Sequence, residues 1–259
     1  MVNLKKYNAL LRYFVLILTV FSIVSCAEKK QYVNKIEGKQ IPITEALAET
    51  NSIEQFIAPY RKHIDEDLNT VLAYAPENID KKGGWQTTIG NLQSTITLAA
   101  AQKIFSKREH EKVSICLLNN GGIREIINKG NITTRTAFEL MPFENNLVVV
   151  ALKGEQILEM VKYIIKEKKP HPLAGMTFTI DKNDVAQTIL IENQPLDLQK
   201  TYFVATNDYL FNGGDNMNFF KKGLKMYDLD YKLRNIWIDY FKEVDTIPTL
   251  TDIRIGKEN

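Results

Sequence analysis

Histidine and cysteine are scarce in this sequence of 259 residues, which has three histidines and two cysteines. The histidines are His63, His110 and His171, and none of them has a partner at the spacing of a metal site. The sequence also lacks a Gly-x-Ser-x-Gly motif and a phosphate-binding glycine loop of the Walker type. We therefore expect no catalytic residue and no metal or other cofactor in this chain.

The sequence also has little excess charge. It contains 33 Lys and Arg residues against 31 Asp and Glu residues. Three of the basic residues and none of the acidic ones lie before position 26, so the remainder has a net charge of −1. This balance gives no reason to expect a nucleic-acid partner. Cys116 lies inside an apolar run, 113–118, and is predicted to be a core residue.

The first 25 residues resemble an export signal. Lys5, Lys6 and Arg12 precede an apolar run over 13–24, which is shorter than the roughly 20 apolar residues that a membrane-spanning helix needs. The run ends at Ser25-Cys26, and 23–26 resembles a bacterial lipobox, in which the cysteine becomes the lipidated first residue. An uncleaved N-terminal anchor helix is the alternative. The sequence thus predicts an exported, membrane-anchored lipoprotein on the periplasmic face or the cell surface.

The rest of the chain predicts one α/β domain with a mixed sheet. Residues 1–25 are assigned to the lipoprotein signal peptide, 26–45 to a tether and first strand, and 46–259 to the domain. Apolar residues at helical spacing follow Asn51, and a second helix is expected over about 90–106. Helices and strands alternate without a regular βαβ period, which favours a mixed sheet. The main predicted strands are 113–118, 146–152, 176–180, 187–191, 201–206 and 252–255.

Two glycine turns follow apolar, strand-like runs. The first glycine turn comprises residues 119–124, Asn-Asn-Gly-Gly-Ile-Arg, and the second comprises residues 209–215, Tyr-Leu-Phe-Asn-Gly-Gly-Asp. Gly-Gly permits positive φ and lets backbone N–H groups approach a ligand. Arg124 provides a rigid fork for phosphate or hydroxyl groups, and Asp215 can accept hydrogen bonds from a vicinal diol.

Aromatic residues accompany both turns. Phe143 follows a Met-Pro pair, and Tyr209 and Phe211 precede the second Gly-Gly. Two aromatic faces could hold a planar base, and each stacked base is worth roughly 1–3 kcal/mol in nucleic-acid complexes. Taken singly, Asn-Gly-Gly is usually only a turn, and aromatic residues more often belong to a core. The combination indicates a binding site for a small polar ligand with a planar group.

The order of these motifs resembles the C-terminal domain of the 5′-nucleotidase family, which includes periplasmic and surface 5′-nucleotidases and UDP-sugar hydrolases. The resemblance covers about Ile53 to Ile255. It rests on four segments in order, namely 119–124, Met141-Pro142-Phe143, Leu152-Lys153-Gly154 and 207–215. It implies an α/β fold with a mixed sheet and α/β/β/α-type layers.

The resemblance also implies a nucleoside site. Phe143 and Tyr209 correspond to the stacking aromatics, and Asn119, Arg124 and Asp215 to residues that contact the base and ribose. With the glycine-turn residues, the predicted substrate-binding set is Asn119, Gly121, Gly122, Arg124, Phe143, Tyr209, Asn212, Gly213, Gly214 and Asp215. One departure concerns Trp85, which stands where relatives often carry a substrate-binding arginine before a Gly-Asn-Leu segment. That departure puts tight binding of the usual nucleotide in doubt.

In the family, hydrolysis is carried out by a separate metallophosphatase domain with two metal ions. This sequence has too few histidines for such a centre. The leading hypothesis is therefore a lipid-anchored subunit of a split 5′-nucleotidase, whose partner chain holds the divalent metals. The rival hypothesis is a stand-alone surface lipoprotein that binds nucleosides or nucleotides, and a third is a degenerate structural domain.

Overall fold

The computed structural model describes residues 4–24, 32–42, 44 and 51–258. The chain divides into two compact units, Met1–Asn51 and Ser52–Asn259. In the first unit, helix α1 spans Leu4–Val24, and residues 32–42 form neither helix nor strand, although the alternation over 31–38 favours a strand. The predicted lipidation site Cys26 lies outside the described residues.

No helix in the described ranges is both long and apolar enough to cross a membrane.

The second unit contains six further helices and eleven strands among the residues described. The helices are α2 Asn51–Leu68, α3 Thr88–Glu109, α4 Thr134–Leu140, α5 Gly154–Glu167, α6 Asp208–Phe211 and α7 Leu233–Glu243. The strands are β1 Val71–Ala75, β2 Val113–Leu117, β3 Gly130–Thr133, β4 Asn146–Lys153, β5 Leu173–Ala174, β6 Met176–Ile180, β7 Ala186–Ile191, β8 Gln194–Pro195, β9 Thr201–Asn207, β10 Lys225–Lys232 and β11 Ile255–Lys257.

Local sequence sets several helix boundaries. The Thr87 side chain accepts a hydrogen bond from the Gly90 N–H at 3.0 Å, which caps the N-terminus of α3. At the other end, His110 has a φ of 57° and terminates the helix in the left-handed region. Helix α4 begins after Thr133, where the Thr136 hydroxyl accepts a hydrogen bond from the Thr133 N–H at 3.2 Å.

The central sheet is mixed, which confirms the predicted fold class. Its five strands lie in the order β10-β4-β9-β2-β5. Strands β2 and β9 run parallel, whereas the other neighbouring pairs are antiparallel. A four-stranded sheet has the order β11-β6-β7-β8, and β1 pairs with β3 in a two-stranded sheet.

The central sheet is covered on both faces. Alternate residues of β4 belong to different apolar clusters: Leu147 and Val149 pack with α3 and α7, and Val148 and Val150 pack with α5 and β6. Because successive side chains of a strand point to opposite faces, the two clusters lie on opposite sides of the sheet. This double burial explains why β4 is a nearly continuous apolar run. Cys116 is fully buried, as predicted, and burial raises the pKa of its thiol.

Sequence periodicity does not reveal every element. Strands β1, β3 and β10 are absent from the prediction, and the C-terminal strand lies a few residues later than expected. Helix α2 continues through Pro59. None of its residues is buried, and the apolar side chains that predict it remain exposed, among them Ile53, Phe56, Tyr60 and Ile64.

Candidate functional site

The two glycine turns emerge at the same edge of the central sheet. The first glycine turn follows β2, and the second follows β9 through the short helix α6. Cys116 of β2 is paired with Ala205 of β9 in parallel register. Adjacent parallel strands end at the same edge, so two segments some ninety residues apart in sequence become neighbours.

Phe143 reaches the same edge from the opposite direction. It lies just before β4, which is antiparallel to β9, and Leu147 is paired with Asn207. The start of β4 therefore lies beside the end of β9. The guanidinium carbon of Arg124 lies 5.8 Å from the centroid of the Phe143 ring. Phe143 is 40% exposed, and Arg124 is exposed. The structure thus brings these two predicted site residues together.

The first glycine turn is held mainly by backbone hydrogen bonds. Residues Asn120–Gly122 form a single 3-10 turn after the buried Asn119. The Gly122 N–H donates to the Asn119 carbonyl at 3.0 Å, and the Arg124 N–H donates to the Leu140 carbonyl at 3.0 Å. The Arg124 side chain also donates from its NH1 nitrogen to the Gly121 carbonyl at 3.3 Å. This geometry fixes the turn and places the guanidinium at its surface.

The first turn uses little of the conformational freedom of its glycines, and only Gly122 lies close to a neighbouring side chain. Neither Gly121 nor Gly122 has a positive φ. A Cβ atom on Gly122 would lie 3.1 Å from Oδ1 of Asn119, whose amide packs against the Gly-Gly pair. The first turn therefore does not use the positive φ that Gly-Gly permits.

The second glycine turn needs both properties of glycine. Gly213 has a φ of 92°, in the left-handed region, where residues with a Cβ are strained. A Cβ on Gly214 would overlap the ring of Tyr209, which folds back over the turn. Asp215 also has a positive φ, of 49°, although it is not a glycine. Strained non-glycine residues of this kind are concentrated at functional sites.

Two tyrosine hydroxyls hold Asp215 in this conformation. The Tyr209 hydroxyl donates to Oδ1 of Asp215 at 3.0 Å and accepts from the Asp215 N–H at 3.3 Å. The Tyr163 hydroxyl of α5 donates to the Asp215 carbonyl at 2.6 Å. Tyr209 is 44% exposed, so its ring still presents surface to solvent. The Asp215 carboxylate is thereby oriented at the sheet edge before any ligand binds.

Two residues singled out from sequence are engaged elsewhere. The side-chain nitrogen of Asn212 donates to the Asp208 carbonyl at 2.8 Å, so its amide closes the end of α6. Trp85 packs against the apolar cluster around α5 and β6, and the Lys257 ammonium lies 5.7 Å from its ring centroid. Trp85 therefore lies beside the strand β11 region.

His171 and Tyr163 are the site neighbours that sequence reasoning missed. His171 is a loop residue, as its flanking prolines predict, but it is only 3% exposed. Its Nδ1 accepts a hydrogen bond from the Asn120 N–H at 3.3 Å, and its ring centroid lies 5.6 Å from that of Tyr163. Burial lowers the pKa of His171 to about 4, and the negative charge of Asp215 opposes this shift.

The sequence pattern that positions His171 is too short to recognise. Pro172 follows His171, and Leu173 and Ala174 then form the two-residue strand β5, which is antiparallel to β2. The Leu118 N–H donates to the Pro172 carbonyl at 2.9 Å. These contacts place His171 beside the end of β2. Two residues cannot show a strand period, so only the pairing reveals the position.

Within the described ranges, no three His, Cys, Asp or Glu side chains are grouped so that they could hold a metal ion. A groove of about 620 Å³ lies between α3 and α7, and its lining contains none of the predicted site residues. The sheet edge instead offers a guanidinium, a carboxylate and two partly exposed aromatic rings. Such groups can bind an anion, a diol and a planar ring.

Comparison with known proteins identifies the family. The family described as "5′-nucleotidase, C-terminal domain" matches residues 70–222. The chain is 26% identical over 222 residues to the trifunctional nucleotide phosphoesterase protein YfkN of Bacillus subtilis, covering 79% of this chain and 15% of that protein. It is 24% identical over 187 residues to a 5′-nucleotidase of Vibrio vulnificus, covering 70% of this chain and 32% of that protein.

A solved structure shows the same fold. The 5′-nucleotidase precursor of Thermus thermophilus matches with a TM-score of 0.67 and 25% sequence identity, covering 83% of this chain and 45% of that structure. The chain thus spans less than half the length of each of these proteins. The family match includes β2, both glycine turns, Phe143 and His171. This chain belongs to the 5′-nucleotidase C-terminal domain family.

Proposed function

We propose that this chain binds the nucleoside part of a nucleotide and takes part in nucleotide catabolism. The observation that supports this most directly is the convergence at one sheet edge of Arg124, Asp215 and the exposed rings of Phe143 and Tyr209. A base would stack between the two rings, since aromatic faces accept any planar base. The Asp215 carboxylate would accept hydrogen bonds from the ribose hydroxyls.

Arg124 would complete the site from the other turn. Its guanidinium is exposed and tethered to the Gly121 carbonyl, which limits the freedom that ligand binding would remove. Asn119 lies beneath the Gly-Gly pair, where its amide could meet the polar edge of a base or the sugar. Asn212 supports the second turn through Asp208 and would contribute by holding its shape.

The chemistry would be supplied by a separate polypeptide. In this proposal, a metallophosphatase chain with two divalent metal ions docks over the sheet edge and hydrolyses the phosphomonoester. The domain described here would fix the nucleoside and so orient the phosphate. Positioning of this kind lowers the barrier because the orientation entropy is lost on binding and not in the transition state.

Calorimetric titration of the purified chain with AMP and adenosine tests the binding proposal. Arg124→Gln and Asp215→Asn should each weaken AMP binding about tenfold, as expected for loss of a charged hydrogen-bonding partner. Arg108→Gln is the matched control, because Arg108 is also exposed but lies near the end of α3. Equal losses in all three variants, or no binding by the wild-type chain alone or with its partner, would contradict the proposal.

The split arrangement needs its own experiment. The chain would be co-expressed with a candidate dimetal phosphatase chain, and AMP hydrolysis would be measured for each chain and for the pair. We expect the two chains to co-purify and the pair to be more active than either alone. A phosphatase chain that is fully active alone and never co-purifies would leave the stand-alone binding lipoprotein as the better hypothesis.

We also propose that the chain is exported and anchored through lipidated Cys26. The basic and apolar segments before this residue support export, and one relative, 29% identical over 185 residues, is named a cell wall protein in Listeria monocytogenes. Labelling of growing cells with a radioactive fatty acid should mark the wild-type chain. Cys26→Ala should abolish the label, whereas Cys116→Ala should leave it unchanged because Cys116 is buried in the core.

A further inference from the structure

His171 connects the first glycine turn to the interior of the domain. Its Nδ1 accepts the Asn120 N–H, so the ring proton of the neutral imidazole lies on Nε2. Nε2 is buried and has no hydrogen-bond partner among the described residues. A buried donor without a partner costs free energy, so an apolar ring would pack at lower cost here. This cost is offset because Nδ1 of His171 accepts the hydrogen bond from Asn120 that holds the first turn.

Tyr163 connects the second glycine turn to the same histidine. Its hydroxyl donates to the Asp215 carbonyl at 2.6 Å, and its ring packs against the rings of His171 and Phe219. Burial, together with the negative charges of Glu167 and Asp215, raises the pKa of this hydroxyl to about 12, so it keeps its proton at neutral pH. It therefore remains a donor.

We infer that His171 and Tyr163 are positioning residues that hold the two glycine turns at a fixed separation. We call this pair the ring bridge. It runs from the Asn120 N–H through the two packed rings to the Asp215 carbonyl. Asn120 directly follows Asn119 and lies four residues before Arg124, whereas Asp215 is itself a predicted ligand contact. The ring bridge thus sets the distance between the groups that would contact the base, the ribose and the phosphate.

The expected effect of the ring bridge on ligand affinity rests on the proposed nucleoside site. A site whose halves come from two separate turns binds tightly only if their spacing is fixed beforehand, because ordering the turns on binding would consume part of the binding free energy. Loosening the ring bridge should therefore weaken AMP binding without removing any group that touches AMP.

Tyr163→Phe is the decisive variant, because it keeps the ring and removes only the hydroxyl. We expect faster amide hydrogen exchange at residues 120–124, although Tyr163 makes no hydrogen bond to that turn in the described structure. AMP affinity should fall about fivefold, as expected for one lost hydrogen bond. Unfolding by urea and circular dichroism would verify that the domain remains folded.

Tyr202→Phe is the matched control. The Tyr202 hydroxyl accepts a hydrogen bond from the Asp197 N–H at 3.0 Å, and Tyr202 lies near the start of β9, away from the turn that follows its end. This variant also loses one tyrosine hydrogen bond, but first-turn exchange and AMP affinity should not change. If both variants give the same result, or if Tyr163→Phe leaves first-turn exchange unchanged, the ring bridge is rejected.

A second pair of variants tests the histidine. His171→Asn keeps an acceptor near the position of Nδ1, whereas His171→Leu removes it. We expect the Asn120 amide to stay protected from exchange in His171→Asn and to lose protection in His171→Leu. Should His171→Leu fail to fold, Tyr163→Phe still decides the question. If exchange responds as expected but wild type binds no AMP, the ring bridge stands and the proposed function fails.

Discussion

Both glycine turns contain Asn-Gly-Gly with a charged residue one or two positions later, but they are built differently. The first turn has no positive φ at its glycines and is closed by backbone hydrogen bonds, with His171 as a buried acceptor. The second has Gly213 and Asp215 in the left-handed region and is held by the hydroxyls of Tyr209 and Tyr163. Similar sequences thus form turns that are stabilised in different ways, and mutation of each turn can measure the difference in stability.

Acid should loosen the first turn and spare the second. The pKa of His171 is lowered from 6.5 to about 4, mainly by burial, with Asp215 and Glu167 opposing and Lys169 adding to the shift. The unfolded chain binds this proton more tightly, so the contribution of His171 to stability is complete above pH 6.5, falls as the pH decreases towards 4, and is lost below it. The shift corresponds to about 3 kcal/mol.

Urea unfolding at pH 7 and pH 4 would measure this loss. His171→Asn should show a smaller difference between the two pH values than wild type, because no imidazole titrates at that position. His63→Asn should behave as wild type, since the His63 side chain is 76% exposed on α2. The same loss in all three proteins would mean that the first turn is not the acid-sensitive one.

Added methyl groups should distinguish the two Gly-Gly pairs. Gly214→Ala places a Cβ against the Tyr209 ring and should lower the free energy of unfolding by about 2 kcal/mol, typical of overpacking. Gly122→Ala places its Cβ 3.1 Å from the end of the Asn119 side chain, which can shift, so the loss should stay below about 1 kcal/mol. Equal losses of unfolding free energy in urea would show that the two Gly-Gly pairs tolerate a Cβ atom equally well.

Removal of the Tyr209 hydroxyl should destabilise the domain less than Gly214→Ala does. Tyr209→Phe loses the two hydrogen bonds to Asp215 and should lower the free energy of unfolding by about 1 kcal/mol. Tyr74→Phe is a suitable control, because Tyr74 is similarly exposed at 41% and its hydroxyl makes no hydrogen bond in the described part of the chain. If thermal unfolding shows no difference between these variants, the hydroxyl does not hold Asp215.

The smallest effect is expected for the side-chain contact of the first turn. Arg124 lies 5.8 Å from the Phe143 ring centroid at an exposed position, where a cation–π pair is worth about 0.5 kcal/mol. A double-mutant cycle with Arg124→Gln and Phe143→Leu would isolate this coupling from the other contacts of each residue. A coupling energy above about 2 kcal/mol would show that the first turn also depends on side chains.

Much of the fold could be predicted because its core strands are mainly apolar, as a nearly continuous run in β4 and as alternate residues in β6. Strands β2, β4, β6 and β9 match their predicted ranges within one or two residues. Strand β10, at the edge of the central sheet, is absent from the prediction although its charged and apolar residues alternate over 228–232. The position of β10 is set by its pairing with β4, and no local sequence pattern indicates that pairing.

The family, the two turns and the types of side chain that they display follow from the amino-acid sequence alone. These are local properties, set by the order of residues and by the spacing of apolar runs. Which of these groups meet depends on tertiary contacts, because the parallel pairing of β2 with β9 joins segments that are distant along the chain. The tertiary structure also shows why Gly213 and Gly214 are needed, and it places His171 between the turns, since a two-residue strand acquires its position from its neighbour.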